Sequence, residues 1–130
     1  MSDRYIDFVN SPLGQLLAKN LGLPAPLALD RFKPEAPVVK GAVLVGAAAG
    51  SELTAAITQV LANIKAEVFA AADSAVHGLA SSAGLATVSY APSAEDGQKF
   101  KALVFDASGI TRSDDLIALH SFFSPVIRKL

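Results

Sequence analysis

The fold is decided by the stretch Gly41-Ala-Val-Leu-Val-Gly46-Ala-Ala-Ala-Gly50-Ser51-Glu52-Leu53. Residues 42–45 are apolar at every position and too few for a buried helix, which is typical of a parallel strand covered on both faces. Glycines then interrupt the run, and Ser51 is the predicted N-cap of a helix over residues 51–64. Strand, tight turn and helix in this order predict the start of a βαβ unit, where α/β proteins hold nucleotides. The predicted helix carries one apolar face, formed by Leu53, Ala56, Ile57, Val60, Leu61 and Ile64.

The remainder of the chain continues the alternation of strands and helices. Residues 66–70 are the predicted second strand, residues 86–90 an uncertain strand, and residues 103–105 another buried strand. A last helix is predicted over residues 113–130, kinked or restarted at a proline. The fold class is therefore α/β, with a three-layer, open, mainly parallel sheet of flavodoxin-like or degenerate Rossmann-like type. We expect residues 42–45 at its centre with 103–105 beside them, in flavodoxin-like order 2-1-3 rather than Rossmann order, because 86–90 is interpreted as an inserted excursion.

Residues 1–36 are predicted to form an N-terminal helical arm. Ser11-Pro12 is typical of an N-cap followed by the first helical residue, and leucines then recur at helical spacing until Gly22 and Pro24. Further prolines favour extended segments up to the predicted boundary near residue 37. Residues 37–130 form the predicted α/β domain. Because the chain stops where another strand is due, we expect truncation before the last strand and an exposed edge or apolar face in the piece.

Composition excludes several classes of function. The 130 residues are enough for one domain, and a formal charge of −1 provides no basic surface for nucleic acid or an anionic membrane. The absence of cysteine excludes disulfides, thiolate metal sites and a cysteine nucleophile. The sequence contains no signal-peptide pattern and no apolar run long enough for a membrane span, so a cytoplasmic location is expected.

The glycine turn lacks the chemistry of a nucleotide site. Gly46-Ala-Ala-Ala-Gly50 is neither GxGxxG nor a P-loop, and it is nearer to the Gly-xxx-Gly-x-Gly turn of short-chain dehydrogenases. Glu52 replaces the third glycine of that turn, where its carboxylate would oppose a pyrophosphate and satisfy the helix dipole itself. Asp73 lies further along than the usual ribose-binding acid. The degenerate turn of Gly46, Gly50, Ser51 and Glu52 is thus the only candidate for cofactor binding, and a structural turn is favoured.

No catalytic residue is predicted. The stretch Leu103-Val-Phe105-Asp106 looks like the fourth strand of short-chain dehydrogenases, with Phe105 and Asp106 in place of two asparagines. The Tyr-xxx-Lys pair of that family is missing, since Val9 and Ala94 stand four residues after the two tyrosines. Hydride transfer to a ketone therefore has no proton donor here.

The other polar residues favour structural roles. His77 and His120 have no neighbouring ligand pattern, so no metal site is predicted, and surface or helix-packing roles are expected. Asp106 is interpreted as the start of an Asx turn. Asp114-Asp115 is typical of a helix start.

The chain resembles the N-terminal part of the high-molecular-weight 3-oxoacyl-[acyl-carrier-protein] reductases, which belong to the short-chain dehydrogenase/reductase family. The resemblance rests on five segments and one proline in order, and it covers most of the chain except residues 71–100. The first two segments are Asp7-Phe-Val-Asn-Ser-Pro-Leu-Gly-Gln-Leu-Leu-Ala-Lys-Asn-Leu-Gly-Leu-Pro and Leu29-Asp-Arg-Phe32, which Pro37 follows. The others are Gly41-Ala-Val-Leu-Val-Gly46, Leu103-Val-Phe-Asp-Ala-Ser-Gly-Ile-Thr111 and Leu119-His-Ser-Phe-Phe-Ser-Pro-Val-Ile-Arg128.

This resemblance implies a non-catalytic, flavodoxin-like front domain in an enzyme of fatty acid metabolism. The parent would be an NAD(P)H-dependent 3-oxoacyl-thioester reductase and a homo-oligomer. Its cofactor, and the acyl-carrier-protein or CoA thioester substrate, would bind a C-terminal reductase domain of the same chain. The alternative is an independent flavodoxin-like binding or protein-interaction module.

Overall fold

The structure is a computed structural model that describes residues 4–22, 33–93 and 97–130. The chain divides into two compact units, Met1–Pro34 and Glu35–Leu130. None of the helices in the described ranges combines the length and the apolar character needed to cross a membrane.

The first unit contains two short helices, α1 (Arg4–Asn10) and α2 (Pro12–Leu21). The predicted start of α2 is confirmed, because the Ser11 hydroxyl accepts a hydrogen bond from the Gly14 N–H over 3.1 Å. The predicted end is confirmed as well, since Gly22 has a left-handed φ of 63°. Pro24 lies outside the described residues. The leucines at helical spacing are exposed, and α2 buries Gly14 and Ala18 instead.

The second unit alternates strands and helices. In chain order its elements are β1 (Ala42–Ala47), α3 (Thr54–Asn63), β2 (Glu67–Ala70), α4 (Val76–Ser82), β3 (Thr87–Ser89), β4 (Ala102–Asp106), a 3-10 turn (Ser113–Leu116), α5 (Ile117–Phe123) and a second 3-10 turn (Ile127–Lys129). The predicted strands are all present. The predicted helical region over 113–130 consists of a 3-10 turn, α5 and a second 3-10 turn. Its predicted restart at Pro125 is confirmed, because α5 ends at Phe123 and the last turn begins at Ile127.

The four strands found in the described residues are all parallel, in the order β3-β2-β1-β4. β1 is central as predicted, and β4 lies beside it with Leu44 opposite Leu103. The preference for the flavodoxin-like order 2-1-3 is wrong. β3 is a sheet strand paired with β2, with Phe69 opposite Val88, and this gives the order of half a Rossmann fold.

Apolar side chains pack on both faces of the sheet, which gives three layers. On one face, Val43 and Val45 pack with Leu61 of α3 and Val76 of α4. On the other face the cluster consists of Ala42, Leu44, Phe69, Phe100 and Val126, with Tyr90, Leu103 and Phe122 packed against it. Consecutive residues of β1 thus face opposite layers, which explains why the strand is apolar at every position.

The predicted apolar face of α3 is rotated from the observed one. Leu53 and Val60 are exposed, and Thr54 and Thr58 are buried together with Leu61. The Thr58 hydroxyl donates to the Ala55 carbonyl over 2.9 Å, so its burial leaves no unsatisfied polar group. The helix begins at Thr54 rather than at residue 51.

Candidate functional site

A cavity of about 560 Å³ opens at the carboxyl end of the sheet. One wall is formed by the β1–α3 turn, residues 48–53, and other walls come from the loop after β2 and from α5. Open α/β sheets bind their ligands at the carboxyl ends of the strands, where the strand order reverses. That reversal lies between β1 and β4, and Gly46 of β1 and Phe105 of β4 both line the cavity.

The β1–α3 turn is hydrogen-bonded to the end of β4 and to the β4 loop, residues 107–112. The Ala48 N–H donates to the Asp106 carbonyl over 2.9 Å. The Ser51 hydroxyl donates to the same carbonyl over 2.8 Å. The Glu52 N–H donates to the Ser108 hydroxyl over 2.8 Å. The prediction that Ser51 caps α3 is therefore wrong, because β4 holds its side chain.

Two glycines allow the segments around the cavity to approach closely. A Cβ on Gly109 would lie 2.7 Å from the Gly50 carbonyl carbon and from the Ser51 nitrogen, and these backbone atoms cannot give way. A Cβ on Gly46 would lie 2.5 Å from the ring of Phe122. Gly46 thus admits a side chain of α5, whereas Gly50 supplies a left-handed φ of 72° for the turn.

The Asp106 carboxylate joins the end of β4 to the start of α3. One oxygen accepts the Thr54 hydroxyl over 2.8 Å. The other accepts the Ser108 N–H over 3.0 Å and the Ser108 hydroxyl over 2.7 Å. The bond to the Ser108 N–H is the predicted Asx turn. Thr54 and Ser108 were not singled out from the sequence, although Asp-Ala-Ser at 106–108 carries the Asx-turn signal.

Asp106 remains charged although its side chain is buried, with 3% of the residue exposed. Burial raises the pKa of this carboxyl. The hydrogen bonds from Ser108, Thr54 and the Leu53 N–H lower it by more, so the pKa lies below its ordinary value. The negative charge therefore sits at the amino end of α3, where it is favourable for the helix dipole.

The geometry of this turn does not fit the pyrophosphate of a nicotinamide cofactor. Such a group needs free backbone N–H donors and positive charge at the helix start. Here Asp106 receives the Thr54 hydroxyl and the Leu53 N–H, and Ser108 receives the Glu52 N–H. Glu52 precedes α3 rather than lying in its first turn, so the carboxylate facing the helix is that of Asp106.

Asp73 lies on the same cavity as the β1–α3 turn. It follows β2, its side chain is exposed, and it lines the cavity together with Ser51 and Ser74. The sequence distance from the turn exceeds that of the usual ribose-binding acid. The short β2 and the loop after it nevertheless bring Asp73 to the carboxyl end of the sheet.

The histidines and the acidic pair have structural positions. His77 Nδ1 lies 2.6 Å from the Thr87 hydroxyl and links α4 to β3, as expected of a helix-packing residue. His120 is exposed on α5. Asp114 is paired with Arg112 over 3.4 Å at the start of a 3-10 turn. Within the part of the chain that the structure describes, no group of three or more His, Cys, Asp or Glu residues is arranged to hold a metal ion.

Comparison with known proteins does not assign this site to a family. The chain matches no protein-family model and no curated protein sequence.

Proposed function

We propose that this chain is the non-catalytic N-terminal domain of an NAD(P)H-dependent 3-oxoacyl-[acyl-carrier-protein] or 3-oxoacyl-thioester reductase. The proposal rests on the resemblance of the sequence segments given above to high-molecular-weight reductases of that kind. Hydride transfer would take place in a C-terminal reductase domain of the same chain. That domain would bind NAD(P)H and the acyl-carrier-protein or CoA thioester, and the parent would be a homo-oligomer.

The observation that carries the non-catalytic assignment is the contact between the β1–α3 turn and the β4 loop. In a dinucleotide-binding unit the corresponding turn leaves its N–H groups free for phosphate. Here Asp106 and Ser108 accept from the start of α3 and from Glu52, and Gly109 packs directly on the backbone of the turn. A pyrophosphate placed at the start of α3 would compete with these contacts and would approach the carboxylates of Asp106 and Glu52, which supports a non-catalytic role.

An interaction module is the second candidate function. The feature that favours it is the apolar surface of α2, where Leu13, Leu16 and Leu21 are between 61% and 68% exposed. Exposed leucines clustered on one short helix are typical of surfaces that contact another protein.

The test compares the 130-residue chain with its encoded parent. Each is titrated calorimetrically with NADH and NADPH, and each is assayed for nicotinamide oxidation with an acetoacetyl thioester. A short-chain reductase with an intact cofactor turn is the positive control. We expect neither binding nor turnover from the 130-residue chain, and both from the parent.

Two results would contradict the proposal. Micromolar binding of either cofactor by the 130-residue chain would show that the β1–α3 turn can open for phosphate. A parent without reductase activity would favour the interaction module.

A further inference from the structure

Helix α2 carries an apolar stripe that the fold leaves at the surface. Its four residues follow the spacing i, i+3, i+4 and i+8, and we call them the leucine stripe: Leu13, Leu16, Leu17 and Leu21. Their exposed fractions lie between 39% and 68%. Residues at this spacing are neighbours along one side of a helix. A continuous apolar surface of this kind is typical of an interaction site.

A different face of α2 is already occupied by α1. Gly14 and Ala18 are the residues that α2 buries, and a Cβ on Gly14 would meet the carbonyl group of Phe8. These two residues follow Leu13 and Leu17 by one position each, which corresponds to about 100° around the helix axis. The contact between α1 and α2 therefore does not cover the leucine stripe.

The charges of the two helices do not suit a lipid surface as the partner of the stripe. The sequence of α2 contains one basic residue, Lys19, and that of α1 contains Arg4 and Asp7. Helices that lie on membranes carry many lysines and arginines on their polar face. The polar face of α2 consists of Gln15 and Lys19, both of them exposed. A protein surface is therefore the better match.

The leucine stripe is symmetric about its centre. Leu13 and Leu21 lie four residues to either side of Leu17, so a two-fold axis through Leu17 relates two antiparallel copies of α2. Each Leu13 then lies opposite Leu21 of the second copy, in the row of residues four apart that helices use for packing. The same register sets Lys19 opposite Gln15, whose amide oxygen accepts hydrogen bonds. A parallel pair would instead bring the two lysines together.

From these observations we propose that the leucine stripe pairs with the leucine stripe of a second copy of this chain, antiparallel across a two-fold axis through Leu17. Four leucines in each copy, exposed by about half on average, remove on the order of 500 Å² of apolar surface from water. This area is at the low end for specific interfaces, so we expect a weak dimer. The inference is independent of the reductase assignment, which is tested by cofactor binding and turnover.

Sedimentation equilibrium of the 130-residue chain between about 10 μM and 1 mM measures the association directly. We expect the average mass to rise from that of the monomer toward twice that value, with a Kd on the order of 0.1 mM. A constant monomer mass over this range would overturn the proposal. If that monomer cosedimented with phosphatidylcholine vesicles, the leucine stripe would be a lipid-binding surface instead.

Charges placed at the two ends of the leucine stripe test the antiparallel register. Leu13→Glu and Leu21→Lys should each weaken the dimer at least about tenfold, because each sets a charge against a leucine. Both charges are favourable for the dipole of α2, so the helix is retained. The double variant pairs the opposite charges between antiparallel copies and should dimerise at least about fivefold more tightly than either single variant. A double variant no tighter than the single variants would refute the antiparallel pair.

The matched control is Val60→Glu, which places the same charge on α3 of the other unit. Val60 is 58% exposed, comparable to Leu13, so its replacement should leave the Kd unchanged. Circular dichroism confirms that each variant is folded. Equal Kd values for Leu13→Glu and Val60→Glu would show that the association does not use the leucine stripe, and they would refute the proposal.

Discussion

A single buried carboxylate, that of Asp106, connects β4, the β4 loop and α3. It accepts hydrogen bonds from Thr54 and Ser108 within 3.0 Å, and its residue is 3% exposed. Removal of its charge leaves these donors with a weaker acceptor in a buried position. Hydrogen bonds to charged groups contribute about 1.5–3 kcal/mol each to stability. We therefore expect this one side chain to contribute to the free energy of unfolding of the second unit.

We expect Asp106→Asn to lower the free energy of unfolding by about 2–3 kcal/mol. The NH2 group of the amide is a hydrogen-bond donor, and it would face the donors of either Thr54 or Ser108. Urea denaturation at pH 7 measures the loss. Asp114→Asn is the control, since its ion pair with Arg112 is exposed and such pairs contribute about 0–1 kcal/mol. Equal losses in the two variants would show that the Asp106 contacts do not stabilise the fold.

The lowered pKa of Asp106 also predicts how stability depends on pH. The pKa of an unfolded Asp carboxyl is about 3.9. The pKa of Asp106 in the folded protein lies below its ordinary value. The contribution of Asp106 is therefore complete above the unfolded pKa and is lost as the pH falls through the folded pKa. Urea midpoints from pH 6 to pH 2 should fall more steeply for the wild type than for Asp106→Asn. Parallel curves would contradict the assignment.

At the scale of elements, the strands were easier to predict than the helix faces. Residues 42–45 are apolar throughout because both layers cover them, and this signal is local. The face of α3 was mispredicted because Thr58, a polar residue, is buried by bonding its hydroxyl within the helix. The Ser51 N-cap failed for a different reason, since its partner Asp106 lies 55 positions away along the chain. A single sequence contains no periodic pattern that indicates a contact between residues so far apart along the chain.

The contact between the β1–α3 turn and the β4 loop is tested by glycine replacement. Gly109→Ala should destabilise the protein by about 2–3 kcal/mol, because its Cβ would meet backbone atoms of the turn. Gly78→Ala, within α4 and with nothing inside 4 Å, should instead stabilise by about 0.5–1 kcal/mol. Thermal and urea unfolding of both variants give the two signs. A neutral Gly109→Ala would show that the two segments separate easily.

At the scale of the whole molecule, the strand order makes β1 the most enclosed strand of the described sheet. It is paired with β2 and β4 along its two edges, whereas β3 has three residues and a place at one end of the order. Residues 86–90 were interpreted as an excursion from the sheet, whereas β3 pairs with β2. A three-residue strand has too little sequence pattern to show that it belongs to the sheet.

The hydrogen-exchange rates of the backbone amides should be lower in β1, which has two neighbouring strands, than in β3, which has one. Amides of β1 bonded to its neighbours should exchange only on global unfolding, and those of β3 at least about tenfold faster by local opening. Amide exchange followed by NMR gives the ratio residue by residue. Equal protection of β1 and β3 would indicate that the edge strand does not open independently.

The pairing of Val43 with Ala102 has a consequence for synthesis of the chain. A ribosome makes β1 early and its neighbour β4 last among the described strands, so the nascent chain carries an apolar strand with one open edge. Over the same interval, the start of α3 lacks the hydrogen bond between the Thr54 hydroxyl and the Asp106 carboxylate. A chain stalled before residue 102 should therefore recruit chaperones and be degraded quickly, whereas one that extends beyond Asp106, the end of β4, can close that edge.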